Sequence, residues 1–199
     1  MRVVGGEWRG RRLTAPAGRA TRPTSDKVRE AIFDMVASML DRNFEGLEVA
    51  DLYAGSGALG IEALSRGAAR CTFVEHDRVA VAALRANLEA LQVHRERARV
   101  LACSVAAALL ADARERWRYT LLLADPPYAA WPAARADLAA VVEQVVAPGG
   151  LTVVETARGQ SVQLPLRVLR VKQYGDTQVT VLVRDDSGTT NEEVPCPAK

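Results

Sequence analysis

Asp125-Pro126-Pro127-Tyr128 sets a carboxylate, two prolines and an aromatic ring directly after the apolar run Leu121-Leu122-Leu123-Ala124. The run reads as a strand buried on both faces of a parallel sheet. Proline has no N–H and a fixed φ, so the ladder cannot continue through it. The chain must leave the sheet there, and it carries an acid, a stiff turn and a ring to the carboxyl edge, where open α/β folds bind their ligands. Taken alone, the tetrapeptide reads equally well as a turn with a solvated acid and a packed tyrosine.

A second group is Asp51-Leu52-Tyr53-Ala54-Gly55-Ser56-Gly57-Ala58-Leu59-Gly60. Gly55, Gly57 and Gly60 fit the G-x-G-x-x-G pattern of a loop that brings bare backbone up to a ligand. Asp51 separates this loop from a dinucleotide site. A pyrophosphate is held by amides and a helix dipole and is repelled by a nearby carboxylate. An acid at that point suits an ammonium group, such as the methionine moiety of S-adenosylmethionine; otherwise Asp51 caps the turn. A third group, Cys71 to Asp77, ends an apolar strand in Glu75, roughly twenty residues past the glycines, where a ribose diol is gripped in nucleotide-binding α/β folds. Asp77 is placed to cap the helix that follows. His76 and His94 lack the partners of a triad or a metal site, so neither is assigned a catalytic role.

The elements that would position these groups alternate strictly after Gly46. Strands are expected at 47–53, 71–74, 99–102, 119–124 and 151–155, with Ala-rich helices at 59–65, 79–91, 105–114 and 133–146. Such alternation implies right-handed crossovers and a parallel sheet covered on both faces. Runs at 166–171 and 178–183, joined by Tyr174-Gly175-Asp176-Thr177, read as an antiparallel hairpin closing the sheet edge. Upstream, residues 2–14 form a short hairpin or extended ribbon around their glycines. Thr24 or Ser25 caps a helix whose apolar face is Val28, Ile32, Phe33, Val36 and Leu40, with Lys27, Arg29 and Glu30 opposite. The division expected is a basic arm over 1–22, a catalytic domain over 23–184 with its leading helix at 24–42, and a disordered tail over 185–199.

The chain has 199 residues, enough for one good-sized α/β domain. Three widely spaced cysteines argue against a disulfide framework or a zinc knuckle. With no apolar h-region at the start and no stretch of membrane-span length, the expectation is a cytoplasmic protein. A net charge of +2 conceals an asymmetry. Residues 1–30 hold eight basic and three acidic side chains, a net +5 against −3 elsewhere. A basic arm on a mildly acidic body is what a polyanion binder needs, because each neutralised phosphate releases counterions. Arg2, Arg9, Arg11, Arg12, Arg22, Lys27 and Arg29 are the candidate phosphate contacts.

Together the loop 51–60, Glu75 and the tetrapeptide 125–128 resemble a class I S-adenosylmethionine-dependent methyltransferase of the amino-methylating kind. Arg2-Val3-Val4-Gly5-Gly6, Arg9-Gly10-Arg11, Arg22-Pro23-Thr24, Asp26, Val28-Arg29-Glu30, Leu64-Ser65-Arg66-Gly67-Ala68 and Tyr174-Gly175-Asp176-Thr177 bring the chain closer to the bacterial RsmD family. That resemblance, over about residues 1–184, implies a Rossmann-like fold with a seven-stranded, mostly parallel sheet. It implies methyl transfer from S-adenosylmethionine to the exocyclic N2 of one guanine in 16S ribosomal RNA. The substrate would be the small subunit or its assembly intermediate, and the enzyme a metal-free monomer. It also implies a catalytic set of Asp125, Pro126, Pro127 and Tyr128, and a donor-binding set of Asp51, Tyr53, Ala54, Gly55, Ser56, Gly57, Gly60, Glu75, His76 and Ser104. Ser104 stands where the family tends to carry Asp or Asn toward the adenine amino group. The alternatives are an amino-methyltransferase for DNA adenine or protein glutamine, a nicotinamide dehydrogenase on the same glycines, and a non-catalytic RNA-binding module.

Overall fold

The computed structural model describes residues 1–16 and 25–185. Its framework is a set of short apolar runs, each followed by an amphipathic Ala-rich stretch. The runs become β1 (Glu48–Leu52), β2 (Arg70–Val74), β3 (Ala98–Leu101), β4 (Tyr119–Ala124) and β5 (Val146–Ala157). The stretches become α2 (Ala58–Ser65), α3 (Arg78–Ala90), α4 (Val105–Arg114) and α5 (Trp131–Val145), with α1 (Asp26–Met39) ahead of the sheet. A hairpin of β6 (Arg167–Tyr174) and β7 (Thr177–Val183) completes the order β3-β2-β1-β4-β5-β7-β6. β1 to β5 pair in parallel and β7 pairs antiparallel with β5 and β6, as expected from the sequence. The one sizeable boundary difference is β5, which starts at Val146 instead of Leu151. Its Ala147-Pro148-Gly149-Gly150 stretch is the irregularity in the ladder, between Val146 opposite Tyr119 and Leu151 opposite Leu121.

The sheet is covered on both faces. On one face, α1, α2 and α3 bury Ile32, Phe33, Ile61, Leu64 and Leu84 against Leu121, Leu123, Val179 and Val181. On the other, α4 and α5 bury Leu109, Leu138 and Val142 against Leu52, Leu122 and Val154. At about 1.5–3 kcal/mol for each large apolar side chain, burial on the two faces is the main stabilising term.

The first fourteen residues form the expected ribbon. Arg2 bridges Arg12, Val3 N–H donates to Arg11 O at 3.0 Å, and Leu13 N–H donates to Met1 O at 3.1 Å. The ribbon lies on α2: Val4 N–H donates to Glu62 Oε2 at 2.8 Å, Glu7 N–H to Ser65 O at 2.7 Å, and Trp8 N–H to Ser65 Oγ at 2.9 Å. A Cβ at Gly6 would sit 1.8 Å from Ser65 O, so only glycine permits this approach. Val3, Trp8 and Leu13 are buried in the same cluster as α1 and α2.

Ser25 caps α1, its Oγ accepting from Val28 N–H at 3.2 Å. Thr24 and Arg22 lie outside the described residues, as does the tail beyond Asp185. Arg29 was expected on the solvent face of α1 and is instead fully buried. It donates to Arg2 O and to Asp26 Oδ1, and its guanidinium lies 3.8 Å from Glu62 Oε2. Between two carboxylates and a carbonyl this cation is already neutralised, and it fastens the ribbon to α1 and α2. It has no surface from which to meet RNA, which removes it from the phosphate-contact set.

Candidate functional site

The sheet order reverses between β1 and β4. The chain crosses from β1 through α2 on one face and from β4 through α5 on the other, so a crevice opens where their carboxyl ends diverge. Leu52 pairs with both Val74 and Ala124, so β1, β2 and β4 end at one level. Tyr53, Glu75 and Asp125 therefore leave the sheet side by side. All three sequence groups meet at this edge.

Asp51 is almost fully buried, and its Oδ2 accepts from Gly60 N–H at 2.8 Å at the start of α2. Burial pushes its carboxyl well above the usual range. The Gly60 amide opposes that rise, while the charges of Asp125 and Glu75 add to it. An acid under this strain gains from a cation beside it. Tyr53 follows with φ +61°, a left-handed conformation that a bulky side chain rarely adopts. Its hydroxyl is pushed up to about 12 by burial and by Asp137.

The three glycines do different work. A Cβ at Gly60 would lie 2.4 Å from Phe73 and 2.6 Å from Cys71 Sγ, and one at Gly57 would lie 2.3 Å from Leu84. Those two let α2 and the loop close onto β2 and α3. A Cβ at Gly55 would meet only Tyr53 O, at 4.0 Å. Gly55 (φ +56°) thus presents bare backbone to open space, where a ligand can lie against it. Ala54 and Ser56 complete the loop, both buried, with Ala54 N–H donating to Val74 O at 3.0 Å.

Glu75 fixes the loop from the side. Its Oε2 accepts from Gly55 N–H at 3.0 Å and its Oε1 from Asp77 N–H at 2.8 Å. Each oxygen keeps a second lone pair for a hydroxyl donor. His76 is exposed, with Nδ1 3.4 Å from Glu75 Oε1. Asp77 caps α3 as expected, accepting from Val79 and Ala80 N–H at 2.9 Å. Ser104, past the end of β3 on the same edge, is exposed and caps α4 by accepting from Ala107 N–H at 3.3 Å.

Asp125 N–H points at Leu52 O over 3.5 Å, so the last link of β4 is already loose. Asp125 is half-buried, Pro126 buried and Pro127 exposed. A single 3-10 turn, Tyr128–Ala130, then returns the chain to α5. Tyr128 is half-buried, and its hydroxyl lies 2.7 Å from Thr177 Oγ1, at the mouth of the β6–β7 hairpin. Gln160 Nε2 donates to Tyr128 O at 3.4 Å. The residue is thereby held at its hydroxyl and at its backbone.

Two positioning residues were given no site role from the sequence. One is Thr177, just described. The other is Asn87, a carboxamide on the apolar face of α3. It accepts from Thr14 N–H at 2.8 Å and donates to Thr14 O and to Ser56 O, each at 3.0 Å. An amide within the series Ala80, Val81, Leu84, Leu88 was the signal available. Of the basic candidates, Arg2, Arg9, Arg11, Arg12 and Lys27 are exposed. Arg11 donates to Ala90 O at 2.8 Å, and Arg2 lies 3.4 Å from Asp26 Oδ2. Among the described residues, no three His, Cys, Asp or Glu side chains are grouped to hold a metal, and no helix is long and apolar enough to cross a membrane.

Residues 1–183 match the profile of the family described as Conserved hypothetical protein 95. In Bacillus subtilis the relative YlbH, whose name marks it provisionally as an rRNA methyltransferase, is 39% identical over 187 residues. The match covers 91% of this chain and 97% of that one. The Haemophilus influenzae protein named Ribosomal RNA small subunit methyltransferase D is 32% identical over 165 residues, 83% of each chain. Among solved structures, Escherichia coli yhhF, provisionally named a methyltransferase, superposes with a TM-score of 0.78 at 31% identity. It covers 93% of this chain and 98% of its own.

Proposed function

The chain belongs to the family described as Conserved hypothetical protein 95, the RsmD family that its motifs resemble, and on that premise we propose that it methylates the exocyclic N2 of a guanine in small-subunit (16S) ribosomal RNA. It is an S-adenosylmethionine-dependent rRNA methyltransferase working in the cytoplasm on the small subunit or its assembly intermediate. The observation that carries the reading is the convergence of Asp51, the open backbone at Gly55, Glu75 and Asp125 on one edge of the sheet.

The residues present fit the donor. Asp51 is a buried acid whose charged form a neighbouring ammonium would favour. Gly55 leaves room at the backbone. Glu75 has lone pairs for a ribose diol, and Tyr53, Ala54, Ser56, Gly57, Gly60, His76 and Ser104 line or brace the same edge. When bound, S-adenosylmethionine supplies an electrophilic sulfonium methyl.

The rest falls to the protein. The N2 lone pair of guanine is delocalised into the ring. Asp125 and the carbonyl of Pro126 accept the two amine hydrogens, which localises the lone pair and aims it. The Pro-Pro turn holds that carbonyl still, so the gain is mainly alignment, worth up to about 7–11 kcal/mol. Tyr128, held by Thr177 and Gln160, stacks on the base for about 1–3 kcal/mol. That offsets the few kcal/mol needed to extrude the nucleotide.

The test uses labelled donor with small ribosomal subunits, their naked RNA, DNA and protein, followed by mapping of the modified nucleotide. Label is expected at guanine N2 of the subunit RNA. Asp125→Ala should lower kcat by about a hundredfold or more while leaving donor affinity within about twofold. Label on adenine or on protein, or wild-type turnover by Asp125→Ala, would refute the assignment.

A further inference from the structure

The outer strand of the sheet is cationic along one side. Between residues 158 and 175 the chain has four basic side chains, Arg158, Arg167, Arg170 and Lys172, and no acidic one. β6 is an edge strand exposed along its length from Arg167 to Gln173. Arg167 is occupied by Asp185 at 2.8 Å, whereas Arg170 and Lys172 are exposed. An extra residue shifts the register between Val168 and Arg170, so that Arg170, Lys172 and Tyr174 stand opposite Val181, Val179 and Thr177. Cross-strand partners share a face. Val179 and Val181 belong to the cluster that holds α1 and the N-terminal ribbon, so the cationic row lies on the ribbon's side of the sheet.

Direction matters as well. β6 is antiparallel to β7, and β7 to β5, so β6 runs the same way as β4. Its carboxyl end, Lys172 to Tyr174, therefore reaches the edge where Asp125 emerges. The turn beyond it delivers Thr177 to the Tyr128 hydroxyl at 2.7 Å. A row of cations leads from the open rim of the sheet to the tetrapeptide, on the opposite flank from Arg9, Arg11 and Arg12. We propose that Arg170 and Lys172 on β6 form a second phosphate-binding strip for the substrate RNA, holding the backbone on the far side of the target nucleotide from the N-terminal ribbon. Phosphate contacts on both sides of a nucleotide fix the backbone against which its base is extruded. The proposal rests on the RNA-methylating reading above.

The experiment compares wild type with Arg170→Gln/Lys172→Gln and with Arg170→Glu/Lys172→Glu, using small ribosomal subunits and an RNA fragment that carries the modified nucleotide. Donor affinity and melting temperature serve as checks on folding. The strip predicts a KM for RNA raised about tenfold in the Gln pair and further in the Glu pair, with kcat at saturating RNA kept within about twofold. It also predicts a salt dependence of RNA binding shallower by about one to two units. Unchanged KM and salt slope in variants that still methylate would overturn it. So would an unchanged KM with a concentration-dependent mass in sedimentation, which would mean that the charges only guard the edge against a second copy. Failure of wild type to methylate any RNA would instead remove the underlying reading.

Discussion

At the scale of single residues, Asp51 has the most direct bearing on measurement. Its folded carboxyl binds its proton more tightly than the ordinary 3.8. Above that pH the unfolded chain has released the proton while the fold retains it. Stability of the donor-free protein therefore falls as pH rises, until the folded group also ionises, and is flat beyond. Asp51→Asn should flatten that descent, giving a higher melting temperature than wild type at alkaline pH. The same variant should bind donor about 10- to 100-fold more weakly, since a charged hydrogen-bond partner contributes about 1.5–3 kcal/mol. Calorimetry across pH, with and without S-adenosylmethionine, checks both; equal donor affinity would remove the ammonium contact. Glu75 and Asp125 were legible in the sequence because each ends an apolar run in an acid, and Asp51 because it is a carboxylate set in a strand just ahead of the glycine loop. Arg29 was misread because its charge was taken as the sign of a solvent face, although it stands three, four and seven residues before Ile32, Phe33 and Val36 and so shares their buried face.

At the scale of elements, α2 is the part with the least tolerance. It closes on β2 only because Gly60 has no side chain, and at its other end Ser65 O accepts from Glu7 N–H where the ribbon passes close at Gly6. Gly60→Ala would push a methyl into Phe73 and Cys71, costing about 1–3 kcal/mol and displacing the amide that Asp51 accepts from. A melting temperature lower by several degrees, together with weakened donor binding, is the expected outcome, and native donor affinity would count against a linked loop. The sequence told strands from helices well here, since runs of four to six apolar residues alternate with Ala-rich stretches at helical spacing. It could not foresee that Ala147-Pro148-Gly149-Gly150 stays within β5, because its pairing with β4 resumes only after a register shift that the local residues do not encode. The contact of Thr177, a residue of the recognised turn motif, with Tyr128 was similarly hidden. Its role comes from sheet order, which places the β6–β7 turn beside a motif 49 residues earlier.

At the scale of the whole molecule, the excess of positive charge lies in the N-terminal residues, where it can attract a polyanion. The exposed ribbon arginines Arg9, Arg11 and Arg12 are the larger share. Replacing all three with glutamine should weaken RNA binding and lower the salt slope by roughly 0.9 for each phosphate that is no longer neutralised. Arg11, already donating to Ala90 O, should contribute less than the other two. An unchanged slope would reduce these arginines to surface solvation. The ribbon was expected as an arm, and its buried Val3, Trp8 and Leu13 show it seated in the body's own core. Through Asn87, one carboxamide holds both backbone groups of Thr14, where the ribbon ends, and the carbonyl of Ser56 in the glycine loop. The two regions proposed to bind RNA and donor therefore share a side chain. By thermodynamic reciprocity, a macromolecule that discriminates between two positions of Thr14 alters the loop's affinity for its small ligand by some factor, and that ligand alters the macromolecule's affinity by the same factor.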